Sequence, residues 1–284
     1  LSTTERAGGG TGETPGGREP CLPLPVEDRW PVVSEFASDE MMTVAASRRL
    51  VDGAVCFVGI GLPSAAANLA RETHAPNLVL IYESGTIGAK PTRLPLSIGD
   101  GELAETADMI VSVPEIFNYW LQGGRIDVVF LSAAQIDRFA NLNSTVIGPY
   151  AHPTVRLPGG GGAPEIAASC REVVVVIRQN DQTFVEKLDF ITSVGHGSGP
   201  GSREQLGFIG KGPVLVITDL GLLRPNSQTF ELELTHLHPG VSVDDVRAAT
   251  AWDLLISPDL AITDPPSANE LAVLRRLEST KGPR

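Results

Sequence analysis

Cysteine is scarce. Cys21, Cys56 and Cys170 are three in 284 residues, far apart and odd in number, so they form neither a disulfide framework nor a CxxC metal site. The expected compartment is therefore a reducing cytoplasm. Long apolar runs are missing as well: none approaches the roughly 20 residues of a membrane span, and the first residues lack the basic-then-apolar order of a signal peptide. Neither a membrane protein nor an exported one is expected. Positive charge is short, with 22 lysines and arginines against 34 aspartates and glutamates, a formal charge of −12. Such a surface repels nucleic-acid backbones and anionic lipid, and neither is expected as a partner. The five histidines, His74, His152, His196, His236 and His238, fall into no metal-ligand spacing; they read as solvated side chains, and no metal is expected. No serine sits in a GxSxG elbow, and no repeat recurs at a fixed period.

What is present is enough apolar material, 42% of residues, to bury a core. Residues 1–40 are rich in Gly, Pro, Thr and Glu without period and read as a disordered or extended tail. From Met41 the texture changes, and residues 41–284 read as one domain. A helix is expected from Met41 to a stop at Gly53. Short apolar runs then alternate with helical stretches. Strands are expected at 54–60, 77–82, 108–113, 128–133, 172–179, 189–194, 213–220 and within 229–240, and helices at 64–74, 115–122, 164–170, 243–255 and 268–280. The pattern predicts an α/β fold: an open, mixed or parallel sheet with helices on both faces.

Four motifs stand out. Gly59-Ile60-Gly61-Leu62-Pro63 joins a strand to a helix. It is either a tight turn alone or a place where the backbone approaches an anion. Tyr82-Glu83-Ser84-Gly85-Thr86 follows a buried run, which puts Glu83 where a strand leaves the sheet; it is either solvated or poised as a nucleophile. Leu157 to Glu165 carries four consecutive glycines, read as a ligand-facing loop in preference to a linker. Gly123 to Asn143 places Gln135 and Asn141 after a buried strand, where they either shape turns or orient a substrate carboxylate. The GxG turn with an acidic residue some 20 positions on also outlines a dinucleotide-binding unit, although Ser64 stands where that fingerprint has Gly or Ala.

As a set, GIGLP, YESGTIG, GGRIDVVFLSAAQIDRFANLN and PGGGGAPEIAAS resemble the β-type subunit of class I CoA-transferases, in the glutaconate and 3-oxoadipate branch, from about Met42 to Leu255. The resemblance implies the superfamily's open α/β fold and a nucleophilic Glu83. It implies Gly160, Gly161, Gly162 and Ala163, with Gly59 and Gly61, as CoA-binding and oxyanion positions, and Ser84, Gly85, Gln135 and Asn141 as the substrate pocket. Ser84, where other branches carry Asn, points to the glutaconate-like branch. It further implies a homologous α-type subunit in an α2β2 heterotetramer, coenzyme A as substrate and no permanently bound cofactor. The activity implied is CoA transfer from a donor such as succinyl-CoA or acetyl-CoA to a small dicarboxylic or oxo-dicarboxylic acid. Acyl-CoA hydrolysis or decarboxylation on the same fold is the nearer alternative, and a nicotinamide-dependent dehydrogenase the more distant one.

Overall fold

The computed structural model describes residues 35–279. The tail expected over residues 1–40 therefore lies mostly outside the described residues. Within them, the first helix begins at Ser38, three residues ahead of Met41. Glu40 explains the earlier start: its carboxylate accepts the Ala37 N–H at 2.8 Å, and it shares the first turn with Asp39, where negative charge is favoured.

The strands in chain order are β1 Val55–Phe57, β2 Val79–Ile81, β3 Thr86–Ile87, β4 Met109–Ile110, β5 Val128–Leu131, β6 Gln135–Ile136, β7 Leu142–Asn143, β8 Val146–Ile147, β9 Val155–Arg156, β10 Glu172–Val176, β11 Pro213–Ile217, β12 Gly221–Pro225, β13 Leu232–Leu237 and β14 Leu255–Ile262. The helices are α1 Ser38–Arg48, α2 Leu62–Thr73, α3 Gly101–Glu105, α4 Val113–Glu115, α5 Ala163–Ser169, α6 Ser202–Gln205, α7 Val243–Ala248 and α8 Ala268–Ser279, with a π-helical turn at Ile116–Leu121.

Ten strands form one sheet in the order β14-β13-β12-β11-β10-β5-β1-β2-β3-β4. From β11 to β2 the neighbours are parallel; antiparallel pairs flank that centre at β2/β3, β3/β4, β11/β12 and β12/β13. Central strands buried on both faces must be apolar throughout, and their side chains divide by parity. Phe57, Val129, Leu131, Val173, Val175 and Val216 enter one core cluster. Cys56, Val58, Val128, Phe130, Val174, Val176, Leu215 and Ile217 enter the other, with Met41, Met42, Ala66, Ala67 and Ala70 of α1 and α2. The first cluster is covered instead by the π-helical turn, α5 and α7. The expected architecture, an open mixed sheet with helices on both faces, is the one observed.

Three elements differ from expectation. Residues 189–194 form no strand: Thr192 and Ser193 donate to the Leu142 carbonyl, while Phe190 and Ile191 remain exposed and unpaired with a sheet. α7 ends at Ala248 because Trp252 turns inward to stack on Phe184 at 5.7 Å, after which the chain extends as β14. His196 and His238 are not solvated but buried, each ring nitrogen against a backbone carbonyl, Pro213 O at 2.7 Å and Thr218 O at 2.9 Å.

Chain succession reverses between β1 and β5, since the chain runs from β1 to β2 on one side and later lays β5 on the other. In an open parallel sheet a crevice forms beyond the carboxyl ends of the strands at such a switch. Phe57 to Gly59 and Val129 to Leu131 line a cleft there of about 710 Å³, its open mouth included.

Candidate active site

Glu83 enters this cleft from a tight hairpin. β2 and β3 pair antiparallel with Ile81 opposite Ile87, the Tyr82 N–H donates to Thr86 O at 3.0 Å, and the Gly85 N–H donates to Tyr82 O at 3.0 Å. That leaves a three-residue loop, Glu83-Ser84-Gly85, whose third position takes positive φ. Gly85 sits at φ 104°, and a Cβ there would overlap the Val111 carbonyl. The glycine two places after the glutamate is thus demanded by the turn that presents the carboxylate. Tyr82, one residue earlier, is fully buried beside Ser64 in the core under α2, and burial pushes its phenol up to about 12.

The Glu83 side chain is half-buried, and no described residue hydrogen-bonds its carboxylate. Burial raises its pKa above the ordinary carboxylate value. A carboxylate relieved of water without gaining a partner is a stronger nucleophile than a solvated one.

The glycine-rich loop closes over it. Gly159 N–H donates to Ser144 O at 2.8 Å and Ala163 N–H to Gly160 O at 2.9 Å, while the N–H groups of Gly160, Gly161 and Gly162 between them are taken by no described residue. The loop is anchored, since Ser144 Oγ donates to Gly159 O and Thr192 Oγ1 accepts the Ser144 N–H. Gly161 has φ 49° and Gly162 φ −83°, a change of hand that turns successive N–H groups toward one concave side. Gly162 has a conformation open to any residue, yet a Cβ there would overlap Glu83 Oε1 and stand 2.7 Å from Phe117 Cζ. Its missing side chain is therefore space for the carboxylate, not backbone freedom.

Phe117 and Ile98 complete the lining, and neither was singled out in the sequence. Phe117 lies in the π-helical turn, where Gln122 N–H donates to Phe117 O at 2.9 Å, and its ring meets Phe57 edge-to-face at 6.4 Å. Ile116 and Leu121 are both fully buried in the same cluster. Five residues apart, they would diverge by about 140° on an α-helix; the wider turn brings them to one face. Helical period alone carries no signal for this register shift.

Not every expected residue comes to the cleft. Gln135 is buried with its amide committed: Nε2 donates to Asp189 Oδ2 at 2.8 Å and Oε1 accepts from Asn143 Nδ2 at 2.7 Å. Asn141 donates to Asp137 Oδ2 and Gly197 O, and accepts from the N–H groups of Gly195 and Gly197. Both amides hold loops together and are absent from the cleft wall, so their placement in the substrate pocket is corrected. Gly61, the N-cap of α2 at φ 90°, is exposed and lies outside the lining, whereas Gly59 is part of it. Ser84 stays beside Glu83, and its buried Oγ has no hydrogen-bond partner among the described residues. Among those residues no group of three or more His, Cys, Asp or Glu side chains is arranged to hold a metal.

A buried nucleophilic carboxylate facing unclaimed N–H groups at a switch point defines an acyl-transfer site. In agreement, the Coenzyme A transferase family model matches residues 39–249, and the chain belongs to that family. Two relatives narrow it. It is 61% identical over 247 residues to the B subunit of 3-oxoadipate CoA-transferase from Pseudomonas knackmussii, spanning 87% of this chain and 95% of the relative. It is 35% identical to the B subunit of glutaconate CoA-transferase from Acidaminococcus fermentans, over 83% and 90% of the two chains. The crystal structure of glutaconate coenzyme A-transferase from the same organism superposes with a TM-score of 0.80 at 32% identity, covering 85% of this chain and 94% of that one. The chain is the β-type subunit of a class I CoA-transferase, and the dehydrogenase alternative is set aside.

Proposed function

We propose that this subunit transfers CoA from a donor such as succinyl-CoA to a 3-oxoadipate-type dicarboxylic acid through a covalent thioester on Glu83. The observation that carries the reading is the Glu83 carboxylate, without a hydrogen-bonding partner and pressed against Gly162, with three unclaimed N–H groups in the loop over it. The 3-oxoadipate class of acceptor follows from the name of the 61% identical relative.

The Glu83 carboxylate attacks the donor thioester carbonyl. The C–S bond breaks, leaving an acyl-glutamyl anhydride and CoA thiolate. The thiolate attacks the glutamyl carbonyl, its C–O bond breaks, and the donor acid departs from a glutamyl-CoA thioester. The acceptor carboxylate then attacks that thioester, and the same two displacements run in reverse until Glu83 is free again. Each tetrahedral intermediate carries an oxyanion, for which the N–H groups of Gly160, Gly161 and Gly162 are the donors at hand; a donor so used contributes about 3 kcal/mol. No proton is consumed and no water enters, so the thioester energy is conserved.

Both relatives are by name one half of a two-subunit enzyme, which supports a homologous α-type partner for this chain, in an α2β2 assembly. The buried free thiols of Cys56 and Cys170 support a reducing, cytoplasmic setting. Initial-rate kinetics of the co-expressed pair test the reading. Parallel double-reciprocal lines in donor and acceptor are expected, with loss of transfer in Glu83→Gln; intersecting lines, or transfer surviving that substitution, would refute it.

A further inference from the structure

We propose that Phe117 sets the partition of the Glu83 thioester between an acceptor acid and water, acting as an apolar shield over the reacting carbonyl. The inference rests on the reading of Glu83 as the nucleophile. A methyl group at Gly162 would meet both Glu83 Oε1 and Phe117 Cζ within 2.7 Å, with Phe117 Cε1 at 3.0 Å, so ring and carboxylate sit on the same side of Gly162, within roughly 5 Å of each other. The ring is held in place: Phe57 buttresses it edge-to-face at 6.4 Å, and its backbone belongs to a π-helical turn pinned on either side by the fully buried Ile116 and Leu121. Ahead of it, Ser112 and Glu115 close a reciprocal cap that fixes where the turn starts.

The chemistry needs such a shield. The cleft is open to solvent, Gly161 is exposed, and no described side chain hydrogen-bonds the carboxylate to crowd water away. Water at the glutamyl thioester adds its oxygen to the carbonyl carbon and the C–S bond breaks. Glu83 returns as a carboxylate, one proton goes to the CoA thiolate and the other to solvent. The acceptor acid performs the same displacement without losing CoA. What distinguishes the two is access, and Phe117 is the aromatic side chain placed against the reacting carboxylate. It touches no group that titrates other than Glu83 and offers no hydrogen bond, so its effect is on the choice of attacking oxygen, as a positioning residue.

The test uses the chain co-expressed with its α-type partner, succinyl-CoA as donor and 3-oxoadipate as acceptor. New CoA ester is read by liquid chromatography and free CoA by a thiol reagent, so that released and transferred CoA are measured together. Phe117→Ala is expected to raise the ratio of released to transferred CoA on the order of tenfold, Phe117→Leu to fall between, and Phe117→Tyr to stay near wild type. Adding Glu83→Gln to Phe117→Ala must abolish the release. A wild-type ratio in Phe117→Ala, whatever its overall rate, overturns the proposal, as does release that persists without Glu83. Should Phe117→Ala not assemble with the partner, equal ratios in the Leu and Tyr variants refute it and a higher ratio in Leu upholds it. Absence of transfer by the wild type would instead remove the CoA-transfer reading, and this inference with it.

Discussion

Gly162→Ala is the substitution with the sharpest expected consequence. The backbone at Gly162, φ −83° and ψ −9°, accepts alanine without strain, so the folded chain should tolerate the change. The methyl group, however, would overlap Glu83 Oε1 and lie 2.7 Å from Phe117 Cζ, where ordinary contacts are 3.4–4 Å. The carboxylate or the ring must retreat by about 1 Å, and a misplacement of that size at a reacting atom lowers the rate roughly 100-fold. Because the cleft is open on one side, the overlap is relieved by moving side chains, and stability should change by less than about 1 kcal/mol, below the usual cost of overpacking a closed core. The assay is kcat for CoA-ester exchange in the assembled enzyme, with thermal unfolding alongside. Gly59→Ala is the control, since its methyl would meet nothing nearer than Pro63 Cγ at 3.9 Å. Gly162→Ala activity within about threefold of wild type would refute the argument that this glycine makes room for the nucleophile.

Other outcomes follow from the same geometry. Gly85→Ala combines φ 104° with overlap of the Val111 carbonyl, so it should destabilise the hairpin by at least about 2 kcal/mol and lower the unfolding midpoint. Asn141→Ala strips four hydrogen bonds from a buried loop junction; the midpoint should fall by the equivalent of about 3 kcal/mol while KM of the remaining folded enzyme is unchanged. Burial raises the Glu83 pKa, so the acid limb of kcat/KM should lie above the ordinary carboxylate range. The sign for stability follows from the same shift. The folded chain holds this proton more tightly than the unfolded one, so the ionised carboxylate costs stability as pH rises through its folded pKa. Glu83→Gln should therefore gain stability at neutral pH and not below the ordinary carboxylate range, as denaturant unfolding at two pH values would show.

The sheet was legible because its central strands are apolar on both faces and separated by helical stretches, a pattern few folds share. Glu83 was legible as a strand-end carboxylate, and the Glu-x-Gly spacing proves to be the signature of a three-residue hairpin loop. The glycine-rich loop was legible as a ligand-facing element, but composition could not say which glycine serves conformation and which serves space; Gly161 does the first and Gly162 the second. Gln135 and Asn141 misled because an amide beside a buried strand reads the same whether it faces a cleft or a loop carbonyl. Their partners, Asp189 and Gly195 to Gly197, lie some 54 residues away along the chain. Phe117 gave no signal, since the π-helical turn that aims it differs from an α-helix by one residue of register.

The most direct test of the covalent mechanism is to incubate the assembled enzyme with succinyl-CoA, remove excess donor, treat with borohydride and map the mass of this chain. Reduction of a glutamyl-CoA thioester to the alcohol removes about 14 Da, and that loss is expected on the peptide carrying Glu83 and on no other. An unmodified Glu83 in enzyme that is exchanging CoA between acids would contradict the covalent mechanism.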